Sequence, residues 1–287
     1  MVRRLVRLLA PREAAGVKGL RREAVTGADA PRARGARPRT PQAPPRVPPD
    51  HVRRLERVTP DPRPLLAIDA SAAAGAAVVL SGEVLARFAS TETNTHAEVL
   101  APAVRQVMAE AGVAAGDLGG VVAGVGPGPF TGLRAGLVTA RSLAFAWGLE
   151  VHGVMSLDAI AHAAAEDAWR RGVDEFVVAT DARRREVYWA HYSHVGGQFQ
   201  RLHGPFVTAP ADVTPLPAYG AGAGMYADVL SAVPEFRTTV PDAGALGLVG
   251  ELGLRRGRGL LPVQPLYLRE SDAKVPGPRK RAGTGRR

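Results

Sequence analysis

The chain has 287 residues, 46% of them hydrophobic, a formal net charge of +10 and no cysteine. That length and apolar content suffice for one or two packed domains, and without thiols there are no disulfides, thiolate metal sites or cysteine nucleophiles. No run of about 18 apolar residues occurs, so no helical membrane span is expected, and a cytoplasmic protein without membrane contact is the expectation.

The charge is unevenly placed. Residues 1–64 hold 16 Lys/Arg against 6 Asp/Glu, residues 275–287 hold five Lys/Arg and no acid, and residues 65–274 hold 16 against 21. The body is mildly acidic, so the basic tails carry the pI of about 10.8 and it does not mark a nucleic-acid-binding body. Pro-rich steps from 38 to 49 exclude a packed domain, and 1–64 and 275–287 read as disordered basic tails. Three readings of 1–64 stay open: a start assigned too far upstream, a tail without a specific role, or a basic arm adding non-specific tRNA or membrane affinity. Arg7 interrupts the apolar residues near the start, so they form no secretory signal.

The first strand of the body is Leu65-Leu-Ala-Ile-Asp69, an apolar run ending in an acid followed by Ala70 and Ser71. A second strand follows at Ala76–Leu80, a turn at Ser81-Gly82, and a third strand at Glu83–Phe88. A helix is expected over about 96–113, opening at His96 with Leu100 one turn on.

Residues 120–125 read as a buried strand, overlapping the loop Gly124-Val-Gly-Pro-Gly-Pro-Phe-Thr-Gly-Leu-Arg-Ala-Gly136 and leading to a helix at 132–148. Strand, glycine loop and helix start can build an anion pocket, because glycine turns freely and the first helical N–H groups are unpaired. Asp69, Ser71, Gly126, Gly128, Thr131 and Gly132 are the nucleotide or anion-loop candidates. A tight turn without ligand remains the alternative: the loop lacks the Gly-Lys-Ser/Thr of a P-loop, and Thr131 replaces the third glycine of a dinucleotide fingerprint. Within the helix Gly132, Gly136, Ala140 and Ala144 recur every four residues, flanked by Arg134 and Arg141. Such a smooth strip packs closely either on the chain's own sheet or on a partner.

Further on, the pattern gives a strand at 151–155, a helix at about 156–172, and strands at 175–180 and 186–195 joined by Asp181-Ala-Arg-Arg-Arg185. The three arginines are a solvated turn or contacts for a phosphate or tRNA backbone. Gly220–Gly224 reads as a loop, and a helix is expected at about 243–256. Catalytic signatures are missing. No Gly-x-Ser-x-Gly or His-Glu-x-x-His occurs; nothing local orients a base towards Ser71 or Ser156; His191 and His194 fall on opposite strand faces.

The three-strand opening with an acid at the first tip resembles the actin-like ATPase (ASKHA) superfamily. More closely, Leu66–Ser71, His96-Ala-Glu-Val-Leu-Ala-Pro102, Gly124–Gly136, Val151-His-Gly-Val154 and Pro265-Leu-Tyr-Leu-Arg269 resemble the TsaB (YeaZ) family. The resemblance implies an α/β, actin-like fold of two RNase H-like domains. Domain I is then 65–158 plus about 241–274, and domain II is 159–240. In that fold Asp69 would approach nucleotide phosphates, the 181–185 turn would be a second phosphate motif, and 220–224 would hold adenosine.

The family's implied role is a non-catalytic scaffold in making N6-threonylcarbamoyladenosine beside the anticodon of tRNAs reading codons that begin with A. Implied partners are a TsaD-like catalytic subunit, a TsaE-like ATPase, a second copy when alone, and tRNA only through the complex. No cofactor is expected to bind tightly, with ATP or ADP at the junction with the catalytic partner as the candidate. TsaD-like enzymes hold metal through His-x-x-x-His; here Ser156 and Ile160 take those positions, so no metal and no own catalysis are expected. His96, Leu100, Arg134, Gly136, Ala140, Arg141 and Ala144 are the partner-interface candidates, and Gly136→Arg is expected to leave the monomer folded but abolish partner binding. An autonomous actin-like phosphotransferase or a metallo-hydrolase of the glycoprotease type is the alternative.

Overall fold

Leu65–Asp69 (β1) is buried along its whole length because it is the middle strand of a five-stranded sheet. A strand covered on both faces needs a continuous apolar run rather than alternation, which is what Leu-Leu-Ala-Ile supplies. It pairs antiparallel with Gly75–Leu80 (β2) and parallel with Gly120–Gly124 (β4). Glu83–Ala89 (β3) and Val151–Val154 (β5) complete the order β3-β2-β1-β4-β5. The computed structural model describes residues 63–90, 96–257 and 259–269. All belong to the second of two compact units, Leu55–Arg287. The expectations for 1–62 and 275–287 lie outside the described residues.

Alternation along β1 assigns its two faces. Leu66 and Ile68 join a core with Leu100, Val104 and Val107 of helix α1 (His96–Glu110) and Leu137, Ala140 and Ala144 of helix α2 (Phe130–Trp147). Leu65 and Ala67 pack on the other face against Leu246 and Val249 of helix α5 (Ala243–Arg256). The glycines of α5 permit its close approach: a Cβ at Gly250 would lie 2.6 Å from Val122, and one at Gly247 2.8 Å from Val79. The Asp242 side chain caps α5 by accepting from the Ala245 N–H at 3.0 Å.

Helix α3 (Ser156–Arg170) lies on a second sheet of order β8-β7-β6-β9, formed by Glu175–Asp181 (β6), Val187–Val195 (β7), Gln198–Thr208 (β8) and Ala218–Tyr219 (β9). Ile160, Ala161, Ala164 and Ala168 meet Phe176, Val178, Ala190 and Tyr192 there. The helix expected at 96–113 stops at Glu110 because Gly112 turns left-handed at φ 66°.

Two elements depart from the sequence reading. Strand β8 was not expected: its faces are largely exposed or half-buried, so apolar alternation is weak, and Gly204-Pro205 stands inside it. The Gly196-Gly197 pair joining it to β7 is a two-residue hairpin signal that points to it. Residues 221–225, expected as loop, form a short helix, α4 (Ala221–Met225). Glycine is required in it by packing, since a Cβ at Gly222 would lie 2.6 Å from Thr180 and one at Gly224 2.0 Å from the Arg237 carbonyl.

Candidate functional site

The tip of β1, the glycine loop and the start of α3 converge on one carboxylate. Asp69 Oδ1 accepts from the Ser71 N–H at 2.8 Å and from Ser71 Oγ at 2.6 Å, closing an Asx turn. Asp69 Oδ2 accepts from Ser156 Oγ at 2.6 Å. Ser156 Oγ also accepts from the Gly126 N–H at 3.1 Å, and the Ser156 N–H donates to the Gly126 carbonyl at 2.9 Å. Asp69 is 1% exposed. Burial pushes its carboxyl up from the ordinary value, opposed by the hydrogen bonds from Ser156 and Ser71.

This corrects two expectations. A group does face Ser71 and Ser156: Asp69 accepts from both, but all three are buried, so the arrangement is an internal clamp rather than an activated nucleophile. The glycines also answer to the protein itself. A Cβ at Gly124 would lie 1.8 Å from Asp69 Oδ2, and one at Gly128 2.5 Å from the Ser71 carbonyl. Gly126 turns at φ 95°, and a Cβ on it would meet Leu133 at 2.9 Å. Asp69, Ser71, Gly126, Gly128 and Gly132 are therefore packed inside, and of the anion-loop candidates only Thr131 is exposed.

Helix α2 corrects a third. Gly132, Gly136, Ala140 and Ala144 are all buried, and Ala140 and Ala144 share one core with the sheet and with Leu100 of α1. A Cβ at Gly136 already touches the Ala70 Cβ at 3.1 Å, so Gly136→Arg would disrupt the fold rather than leave a folded monomer. The outward face carries Arg134, Val138, Arg141 and Phe145, with Val138 63% and Phe145 91% exposed. Arg134 Nε donates to Tyr267 Oη at 2.8 Å. His96 opens α1, and its side chain lies outside the described residues. Ser156 and Ile160, at the positions likened to metal-binding histidines, are buried. His162 is half-buried, and burial lowers its pKa against the pull of Glu166. Among the described residues no three His, Asp or Glu side chains gather as a metal site.

The family model of TsaD, tRNA N6-adenosine threonylcarbamoyltransferase, matches residues 83–238. An uncharacterised protein of Mycobacterium tuberculosis is 42% identical over 214 residues, 73% of this chain and 93% of that protein. The tRNA threonylcarbamoyladenosine biosynthesis protein TsaB of Escherichia coli is 36% identical over 130 residues, 45% of this chain and 54% of TsaB. The solved structure of YeaZ from Pseudomonas aeruginosa superimposes with a TM-score of 0.61 at 29% identity, covering 72% of this chain and 100% of that one. The chain belongs to the TsaB/YeaZ family. Its fold is accordingly actin-like, and no described helix is long and apolar enough to cross a membrane.

One buried network in this TsaB/YeaZ chain was missed by sequence reading. Asp158, in the first turn of α3, accepts from Tyr192 Oη at 2.9 Å. The guanidinium of Arg201 lies 3.5 Å from each Asp158 oxygen and donates to Met155 Sδ at 2.8 Å. Asp158 and Arg201 border a cleft of about 890 Å³ between β8 and α5, lined also by Phe199, Val249, Leu252 and Arg256. No local motif marks the network, because Asp158 and Arg201 are 43 residues apart.

Burial pushes Asp158 up to about 6, against the opposing pull of Arg201 and Tyr192. A carboxyl raised on folding contributes stability that is fully present below its unfolded value and lost as pH rises through the folded one. Asp158→Asn keeps the shape without that titration. The variant is expected to gain on the parent by about 2 kcal/mol between about pH 4.5 and pH 7.5, read from urea unfolding at both pH values. Parallel pH profiles for the two proteins would refute this.

Proposed function

We propose that this chain is a non-catalytic subunit of the complex that transfers a threonylcarbamoyl group to N6 of adenosine next to the anticodon of tRNAs reading codons beginning with A. One observation carries the reading: helix α2 holds Val138 and Phe145 out to solvent on one face, alternating along it with Arg134 and Arg141. Large apolar side chains this exposed, interleaved with guanidinium groups, match the composition of a protein-binding patch. The TsaD-like catalytic subunit docks there, and a second copy of the chain occupies the same face when that subunit is absent. A TsaE-like ATPase joins the pair, and ATP or ADP sits at the junction.

The β1 tip supports the accessory role. In an actin-like phosphotransferase the acid at this tip must reach a ligand or its metal. Here Asp69 is enclosed by Ser71, Ser156 and Gly124, and its own hydrogen bonds occupy both oxygens. The test is reconstitution. The full chain is added to or withheld from the matching TsaD, TsaE and adenylate-forming enzyme, with unmodified tRNA, threonine, bicarbonate and ATP. Modified nucleoside should accumulate only with the chain present, and the chain alone should not turn over ATP. Equal modification without it, or ATP turnover by it alone, would favour an autonomous actin-like enzyme instead.

A further inference from the structure

Residues 265–269 form a strap across the two sheets. The Leu266 N–H donates to the Val125 carbonyl at 2.8 Å, behind the glycine loop. The Tyr267 ring lies 4.6 Å from that of Phe130, with the Arg134 guanidinium 5.7 Å and 5.8 Å from the two centroids. Two residues on, within about 7 Å of chain, Arg269 donates to the Ala182 carbonyl at 3.1 Å and pairs with Glu186. The strap thus ends on the β6–β7 turn and holds both of its sides.

That turn is unusual. Arg183, Arg184 and Arg185 are all exposed and all left-handed, with φ of 61°, 54° and 62°. Residues bearing a Cβ avoid this region, and strain of this kind persists only where the surroundings enforce it. Here they do. The Ala182 N–H donates to the Glu186 carbonyl and the Glu186 N–H to the Arg183 carbonyl, each at 3.0 Å, and the Arg183 N–H donates to Asp181 Oδ1 at 2.7 Å. Arg183 also pairs with Asp181 at 3.1 Å. Three exposed arginines thus stand in succession on a fixed base, with Arg183 turned back onto Asp181. They do so on a body whose overall balance is acidic, which makes the positive charge local to this edge.

We propose that Arg183, Arg184 and Arg185 form a contact surface for the phosphate backbone of an RNA strand. Guanidinium forks grip phosphate oxygens, often with two parallel hydrogen bonds. That the polyanion is tRNA rests on the subunit role proposed above; it adds a direct contact where the family likeness implies only an indirect one.

The test uses the full chain alone and a fluorescently labelled, unmodified tRNA transcript, with anisotropy titrations between about 50 and 200 mM salt. R183Q/R184Q/R185Q should bind at least about tenfold more weakly and lower the salt slope by about 2, since each phosphate contact contributes about 0.7 to 0.9. R183G/R184G/R185G, which also relieves the backbone, should lose the same affinity and be no less stable. R87Q/R170Q/R255Q removes equal charge from other faces and should stay within about twofold of the parent. All variants keep the basic residues of 1–64, so their contribution cancels. Undiminished binding by both turn variants, or equal losses in the distant variant, would overturn the proposal. So would loss of ATP binding with tRNA affinity retained, which would assign the turn to a mononucleotide. The subunit reading fails separately: arginine-dependent tRNA binding without any need for the chain in reconstitution would leave this surface standing and remove that role.

Discussion

Gly124→Ala is expected to destabilise the chain by about 3 kcal/mol or more, enough to unfold a marginal domain. The new methyl carbon would sit 1.8 Å from Asp69 Oδ2 and 3.0 Å from Ser156 Oγ. Neither neighbour is the free end of a flexible side chain. Asp69 is held by Ser71 and Ser156 at the end of a fully buried strand, so relief means breaking 2.6 Å hydrogen bonds or moving β1 against β4. Urea unfolding measures the loss. Asp69→Ala alone should cost about 2 to 4 kcal/mol, because it strands the Ser71 N–H and both hydroxyls in a buried site. In the Asp69→Ala background, however, the added methyl finds the space the carboxylate vacated. The two substitutions should then fall short of additivity by about 2 kcal/mol. Full additivity would mean that Gly124 is needed for backbone freedom rather than for the approach of Asp69.

That pair also marks what was legible in the sequence. The apolar run Leu65–Ile68, the strand at 120–124 and the helices of 130–147 and 243–256 follow from pattern alone, because burial on one or two faces dictates which positions are apolar. The glycine loop was legible as a place of close approach. What approaches it was not: a glycine that admits a ligand and a glycine that admits the chain's own carboxylate look alike. The partners Asp69 and Ser156 stand 87 residues apart.

The small-residue strip posed the same ambiguity, yet helix geometry could have resolved it. Leu133, Leu137, Ala140 and Ala144 follow one another at intervals of four, three and four, a single buried face. Val138 lies five residues beyond Leu133, well off that face at about 100° per residue. Val138 and Phe145 are apolar residues of the same helix that point elsewhere. Strand β8 was marked only by its Gly196-Gly197 turn, because largely exposed or half-buried faces impose little hydrophobic alternation.

The outward pair supports the second prediction of large effect. Val138→Asp with Phe145→Asp is expected to weaken co-elution with the TsaD-like subunit by about 100-fold or more, while thermal unfolding of the chain alone shifts little. The two expectations have separate physical grounds. Phe145 is 91% and Val138 63% exposed, so the folded monomer loses almost no buried apolar surface, and surface changes of this kind usually stay within about 0.5 kcal/mol. At an interface the same carboxylates must be desolvated without partners, and truncating a central aromatic anchor alone costs about 2 kcal/mol or more. Gly136→Arg, two residues before Val138 but facing inward against Ala70, should do the reverse and fail as a folded protein before any binding assay can be read. Trp169→Asp is the matched control, since Trp169 is also exposed, at 57%, but ends α3 on a different part of the molecule. If the Trp169 variant loses the partner and the α2 variant keeps it, the docking face lies at the end of α3, and the smooth interior strip of α2 serves only the fold.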